Sequence, residues 1–179
     1  YVAFREFSKS ISDNEQSFYI NDDLLYKGHF DQDNELAKID DLNSSDAIVV
    51  WAEDLKEKLP VLYLRVRQAV KKGVKLIVFG HTNETLSDIA DVFYGKETVS
   101  ESFEIIKDVS KLKEVKNYVI DKNVTAIIGK STPQQSDASV SELFEFLKSN
   151  ANTKILNAYT KGNTYGAFQT LENIKGTKD

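Results

Sequence analysis

The feature that most constrains this chain is a pair of continuous apolar runs separated by one strong helix signal, between residues 46 and 80. The runs DAIVVW and VKLIVFG lack the apolar-polar alternation of a half-exposed strand, which is typical of strands covered on both faces. Between them, PVLYLRVRQAVKKG predicts a helix, because Pro60 suits a first turn and Gly73 follows two lysines as a stop. A strand, helix and strand of this length predict a right-handed unit with parallel strands.

The same pattern recurs downstream. NVTAIIG and TKILNAY predict two further buried strands, and three amphipathic stretches predict the helices between and around them. The strands are residues 123–129 and 153–159, and the helices are residues 82–95, 99–119 and 136–150. This alternation predicts an α/β fold: a layered, mostly parallel, Rossmann-like sheet with helices on both faces.

The domain organisation follows from the absence of any linker rich in proline or glycine. We expect one domain, and a chain without methionine that begins with tyrosine is expected to be part of a longer protein. A short helix at NELAKIDDL is predicted to turn Leu36 and Ile39 inward. The domain divides into a leading segment, a repeated strand-helix core and a tail (residues 1–43, 44–160 and 161–179).

Composition excludes several classes of function. A net charge of -5 argues against a nucleic-acid partner, because such proteins carry a clustered basic face. No apolar run approaches the roughly 20 residues of a membrane span, so direct membrane insertion is not expected. With 2 histidines and no cysteine, the chain offers no disulfide, iron–sulfur ligand or thiolate nucleophile. We therefore predict no metal site and no catalytic residues within this sequence.

Candidate ligand residues are those that follow the predicted strands. Loops after parallel strands line the carboxyl edge of the sheet, where α/β proteins bind ligands. If a ligand binds, the candidates are Ala52, Glu53, Gly80, His81, Gly129 and Lys130.

The loop after the third strand contains Gly129-Lys130-Ser131, which is similar to the end of a P-loop. The full motif needs a glycine five residues before Gly129, and Val124 occupies that position. An ordinary polar loop is therefore the favoured interpretation. His29 and His81 are interpreted in the same way, as loop imidazoles.

The turn after the first strand carries two adjacent carboxylates, Glu53 and Asp54. They could form a pair for acid–base chemistry or for a divalent metal ion. The favoured interpretation is a helix start, because Asp54 precedes Glu57 by three residues, as in a capping box. Negative charge at this turn opposes a phosphate, which prefers bare N–H groups and glycine.

A basic run lies on and after the best helix. It is interpreted as a solvated helix face, with an acidic partner as the alternative. Its members are Arg65, Arg67, Lys71, Lys72 and Lys75.

Four short motifs stand out within residues 42–94: Ser45-Asp46-Ala47, Pro60-Val61-Leu62, Arg65-Val66-Arg67 and Lys72-Gly73-Val74-Lys75. With these motifs, residues 42–94 resemble a segment of the molybdopterin oxidoreductase superfamily. The flanking sequence is similar to the variant in the large iron–sulfur subunit of NADH:quinone oxidoreductase, which is respiratory complex I. The resemblance touches most of the chain, and its specific part spans residues 45–79.

The resemblance also implies where a cofactor would bind. In members that hold the molybdopterin dinucleotide, the first turn is small and carries asparagine, and the second strand ends in Asp-Pro-Arg. Here the first turn is Ala52-Glu53-Asp54 and the second is Gly80-His81-Thr82, which adds negative charge and removes the arginine. The resemblance therefore implies the fold without the cofactor, with iron–sulfur clusters elsewhere in the parent chain.

Three interpretations remain open from the sequence. The first is a non-catalytic structural domain of the large iron–sulfur subunit, in contact with other subunits of a respiratory complex and held at the cytoplasmic face of the cell membrane through them. The second is the nucleotide-binding part of a molybdenum or tungsten oxidoreductase, such as a formate dehydrogenase. The third is an unrelated α/β nucleotide-binding domain.

Overall fold

The computed structural model describes six ranges of the chain: residues 36–51, 54–82, 85–97, 109–128, 145–149 and 151–158. The strands are β1 (Ala47–Trp51), β2 (Lys75–His81), β3 (Val92–Lys96), β4 (Lys122–Ile128) and β5 (Ala151–Asn157). The α-helices are α1 (Leu55–Lys58), α2 (Pro60–Lys71) and α3 (Val109–Val119). Ile39–Asn43 and Ser87–Ile89 form 3-10 helices, and residues 145–149 are helical.

The five strands form one sheet in the order β3-β2-β1-β4-β5, and every neighbouring pair is parallel. β1 lies at the centre, where Trp51 pairs with Phe79 of β2 and with Ile128 of β4. All five residues of β1 are buried, as the continuous apolar run predicts. The predicted parallel α/β fold is confirmed.

The sheet separates two apolar cores. Successive side chains of a strand point to opposite faces. Val49 and Trp51 therefore pack on one face with Val115 of α3, whereas Ile48 packs on the other face with Val66 of α2. Helices thus cover both faces, as predicted.

The helix α2 follows its sequence signals closely. Pro60 occupies its first turn, and its buried residues, Leu62, Tyr63, Val66 and Ala69, lie on one side. Gly73 follows the helix with φ of 100°, a conformation that side chains disfavour and glycine adopts freely.

The prediction of a helix over residues 82–95 is wrong. This stretch contains the short 3-10 helix Ser87–Ile89 and then β3, which extends the sheet beyond β2. Its apolar residues fit a helical period, but pairing with β2 decides the structure. Gly95, the last residue of that predicted helix, lies inside β3, where an added Cβ would come within 3.1 Å of the Thr82 Cα.

The prediction that Leu36 and Ile39 face inward is also wrong, since their side chains are 44% and 43% exposed. The helix here is a short 3-10 helix that begins at Ile39, and Leu42 is its buried residue. Leu36 instead forms a parallel β-bridge with Ile155 of β5, the last strand in the order of the sheet.

The remaining predicted helices are described only in part. Residues 109–119 and 145–149 are helical. Residues 99–108 and 136–144 lie outside the described ranges, as do most of the leading segment and the whole tail.

Candidate functional site

The topology places the expected ligand position between the carboxyl ends of β1 and β4. From β1 the chain proceeds to β2 and β3 on one side and then returns to β4 on the other. Such a reversal of strand order opens a crevice where α/β proteins bind ligands. Because Trp51 pairs with Ile128, β1 and β4 end side by side at this edge. Four of the predicted candidates directly follow β1 or β4 in the sequence and lie outside the described residues: Ala52, Glu53, Gly129 and Lys130.

Asp54 is the first described residue after β1. It is the N-cap of α1, and its Oδ1 accepts hydrogen bonds from the backbone N–H groups of Lys56 at 3.0 Å and Glu57 at 3.4 Å. An aspartate in this position satisfies amides that a helix start otherwise leaves without a partner. The predicted capping role of Asp54 is confirmed.

A second contact joins Asp54 to the neighbouring loop. The hydroxyl of Thr85, in the connection from β2 to β3, donates a hydrogen bond to Asp54 Oδ1 at 3.2 Å. Both residues are half-buried. The bond links the turn after β1 to the loop after β2, so these two loops at the carboxyl edge hold each other in position. Sequence reasoning missed Thr85, because its partner lies 31 residues away and no local pattern marks the pair.

The chemistry of this turn is unfavourable for a phosphate. An anion that approached the Lys56 and Glu57 amides would have to displace the carboxylate that already occupies them. The same carboxylate would repel it, whereas phosphate sites at helix starts rely on bare N–H groups. With only 4 residues, α1 also contributes a small dipole to offset that repulsion.

The two remaining candidates occupy different environments. Gly80 is buried within β2, where it pairs with Gly95 of β3. His81 ends β2 with an exposed side chain and pairs with Lys96. His81 therefore lies on the side of β1 away from β4, and the structure does not bring it to the crevice between β1 and β4.

Trp51 belongs to the apolar core. Its side chain is 1% exposed, and its ring centroid lies 5.8 Å from that of Phe79. Phe79 in turn stacks on Tyr94 at 5.2 Å. The rings of Trp51, Phe79 and Tyr94 pack together on one face of the sheet. The Trp51 ring is therefore not accessible for stacking on a ligand.

An open apolar groove of about 270 Å³ lies at the same edge of the sheet, between the end of β5 and the junction of α1 with α2. The polar residues among those that line the groove are Lys58 and Asn157. Sequence reasoning missed this groove, since its walls come from three distant parts of the chain. The apolar lining residues are Ile39, Leu59, Pro60, Val61, Leu62, Leu156 and Ala158.

Metal ligands do not gather anywhere in the described ranges. Within those six ranges, no group of three or more histidine, aspartate or glutamate side chains could hold a metal ion. Among the helices of the same residues, none is both long enough and apolar enough to span a bilayer.

A comparison with protein families gives a match that spans nearly the whole chain. The family model described as molybdopterin oxidoreductase matches residues 5–175. The matched residues include all five strands and the residues that follow each of them in the sequence.

Proposed function

Since this chain belongs to the molybdopterin oxidoreductase family, we propose that it is a structural and interaction domain within the large iron–sulfur subunit of an NADH:quinone oxidoreductase, without a pterin cofactor of its own. Its partners are the other subunits of that respiratory complex, which hold it at the cytoplasmic face of the cell membrane. The iron–sulfur clusters that carry the electrons are bound elsewhere in the parent chain.

The observation that carries this proposal is the occupied helix start at Asp54. The cofactor of the family is a pterin that carries a metal and, in many members, a nucleotide joined through phosphates. At the turn after β1, the amides of Lys56 and Glu57 already bind the Asp54 carboxylate, and Thr85 supports that carboxylate from the next loop. The described residues therefore do not suit the phosphate end of the group.

Cofactor content of the intact parent protein tests the proposal. We expect far less than one molybdenum or tungsten atom per chain by elemental analysis, and no oxidised pterin fluorescence after acid release. Iron and acid-labile sulfide in the same sample are expected in stoichiometric amounts. A full complement of molybdenum or tungsten with pterin would overturn the cofactor-free proposal.

Assembly is a separate part of the proposal and needs its own measurement. An affinity tag on the intact protein, extracted in mild detergent, is expected to recover a complex that oxidises NADH and reduces a quinone. Recovery of a protein that oxidises formate instead would favour a molybdenum or tungsten oxidoreductase.

That second candidate is the nucleotide-binding part of such an enzyme. The observation in its favour is the crevice between β1 and β4, at the position where parallel α/β sheets accept nucleotides. The third interpretation, an α/β domain unrelated to these oxidoreductases, is incompatible with the family membership.

A further inference from the structure

The outward side of α2 exposes apolar side chains that the described part of the domain does not cover. Val61 is 65% exposed and Leu64 is 63% exposed, whereas Leu62 of the same helix is buried against the sheet. Val61 also lines the apolar groove, as does Ile39, which is 43% exposed. Contiguous exposed apolar area of this kind marks an interaction site more often than scattered single residues do. We call this continuous area, formed by Ile39, Leu59, Val61, Leu64 and Arg65, the α2 surface.

The charge of the α2 surface is positive. The helix α2 contains two arginines and one lysine and no carboxylate. The Arg67 guanidinium donates a hydrogen bond to the Tyr63 hydroxyl at 2.9 Å and so has a partner on its own helix. Within the described ranges, the Arg65 guanidinium has neither an ion pair nor a hydrogen bond. Arg65 lies one turn after Val61 and beside Leu64, so an occupant needs carboxylates next to apolar side chains.

The described chain begins at the margin of this surface. The Ala37 N–H donates to the Ile155 carbonyl at 2.8 Å, which fixes the chain beside β5. Two residues later, Ile39 lines the groove. Residues 1–35 therefore join the domain next to the α2 surface.

The composition of residues 1–35 complements that surface. The segment has 8 acidic and 3 basic residues, a net charge of -5, and 7 aromatic residues. Its most concentrated combination of charge and apolar side chains is Asp22-Asp23-Leu24-Leu25-Tyr26. Leu36 follows Tyr26 by ten residues, enough for an extended chain to span about 33 Å, and α2 with its 12 residues is about 18 Å long.

We propose that residues 1–35 of this chain dock on the α2 surface. Leu24 and Leu25 cover Val61 and Leu64, and the Asp22–Asp23 pair lies against Arg65. The occupant is thus a segment of the same chain, not a second copy and not another subunit.

Cysteine cross-linking within these 179 residues tests the docking directly, because they contain no cysteine of their own. The test variant carries Leu25→Cys with Leu64→Cys. The matched control carries Leu25→Cys with Ile120→Cys, since Ile120 is 44% exposed after α3, which packs on the opposite face of the sheet. Under mild oxidation at low protein concentration, we expect a disulfide within the monomer at least ten times faster in the test variant.

Two outcomes of this experiment would overturn the proposal. Equal rates in the two variants would mean that the segment has no preference for the α2 surface. Disulfide-linked dimers in place of the internal disulfide would mean that a second copy occupies it. Thermal unfolding of the reduced variants, expected within a few degrees of the parent chain, ensures that the rates are compared between folded proteins.

Charge exchange tests the role of Arg65. In the test background, Asp22→Lys with Asp23→Lys is expected to slow internal cross-linking several-fold. Addition of Arg65→Glu to that variant is expected to restore most of the rate, whereas addition of Lys113→Glu, an exposed cation on α3, restores none. Rescue by both substitutions alike, or by neither, would contradict pairing between the segment and Arg65.

Discussion

The amino ends and the carboxyl ends of the parallel strands form two edges of the sheet, and these edges differ in how their polar groups are paired. At the amino edge, polar side chains are paired across neighbouring strands: the Asp46 carboxylate accepts from the Asn123 N–H at 2.9 Å, and Ser45 and Thr125 share a hydroxyl hydrogen bond of 2.7 Å. At the carboxyl edge, the Asn157 oxygen has no partner among the described residues and the apolar groove is open. Paired polar groups at the amino edge contribute to the stability of the fold. The carboxyl edge, with its open groove, is the edge where α/β proteins bind ligands. Breaking each edge in turn tests this contrast.

Loss of Trp51 is expected to have the largest effect. Trp51→Ala removes a side chain that is 1% exposed at the end of β1, and such truncations cost about 3–5 kcal/mol of the free energy of unfolding. Denaturant titration followed by circular dichroism measures the change. Trp51→Phe, which keeps the contact with Phe79, is expected to lose clearly less. An effect below about 1 kcal/mol for the alanine variant would show that Trp51 is not part of the core.

Removal of Asp91 breaks the amino edge. Its carboxylate accepts from the Leu76 N–H at 2.9 Å and from the Lys75 ammonium at 2.7 Å, so it joins the start of β2 to the approach to β3. Asp91→Ala is expected to lower the free energy of unfolding by about 1–3 kcal/mol, because it leaves the Leu76 amide without a partner. Asp88→Ala, at an exposed position three residues earlier, serves as the control and is expected to change stability by less than about 0.5 kcal/mol.

Replacement of Asp54 separates the effect of its hydrogen bonds at the start of α1 from the effect of its negative charge. Asp54→Ala removes the helix cap and the Thr85 contact and is expected to cost about 1 kcal/mol of the free energy of unfolding. Asp54→Asn keeps an oxygen that can cap α1 but removes the charge, so its cost is expected to be smaller. If denaturant titration found the asparagine variant as unstable as the alanine variant, the charge and not the hydrogen bonds would be the stabilising feature.

How much of the fold could be read from the sequence depends on whether the signal is local. Pro60, Gly73 and Asp54 act on residues within a few positions of themselves, and the structure confirms all three. The continuous apolar runs likewise marked β1, β2 and β4, because a strand buried on both faces has a composition of its own. The run TKILNAY also forms a strand, but the prediction that this strand is buried is wrong: β5 ends the strand order of the sheet, and Ile155 is its one buried residue.

The errors occur where distant contacts decide the outcome. β3 has apolar residues at helical spacing, and its pairing with β2 overrides them. The Thr85 contact with Asp54 and the walls of the groove join segments that are far apart in sequence. No local pattern encodes such contacts. The sequence therefore predicted that the candidate site lies at the carboxyl edge of the sheet, but it could not predict which of the described residues contact one another there.

The smallest predicted effect is the pH dependence of the ion pair between Lys75 and Asp91 at the amino edge. Partial burial favours the neutral form of Asp91, but hydrogen bonds from the Lys75 ammonium and the Leu76 N–H outweigh it and lower the pKa of the carboxyl. The hydrogen bond to Asp91, together with its charge, raises the pKa of Lys75.

The signs of the two shifts define a window of pH. A lowered carboxyl pKa contributes stability above the unfolded value of about 4, and this contribution is lost as the pH falls through the folded value. A raised lysine pKa contributes below the unfolded value of about 10.4, and this contribution is lost as the pH rises through the folded value. The pair therefore stabilises the fold between roughly pH 4 and pH 10.

Substitution of Lys75 tests this window. Denaturant midpoints of the parent chain and of Lys75→Met, measured from about pH 2.5 to pH 8, are expected to differ by a constant amount above about pH 5 and to converge below about pH 4. A difference that persisted unchanged at the lowest pH would assign the stabilisation to the packing of the Lys75 stem, and the amino edge would then owe nothing to this ion pair.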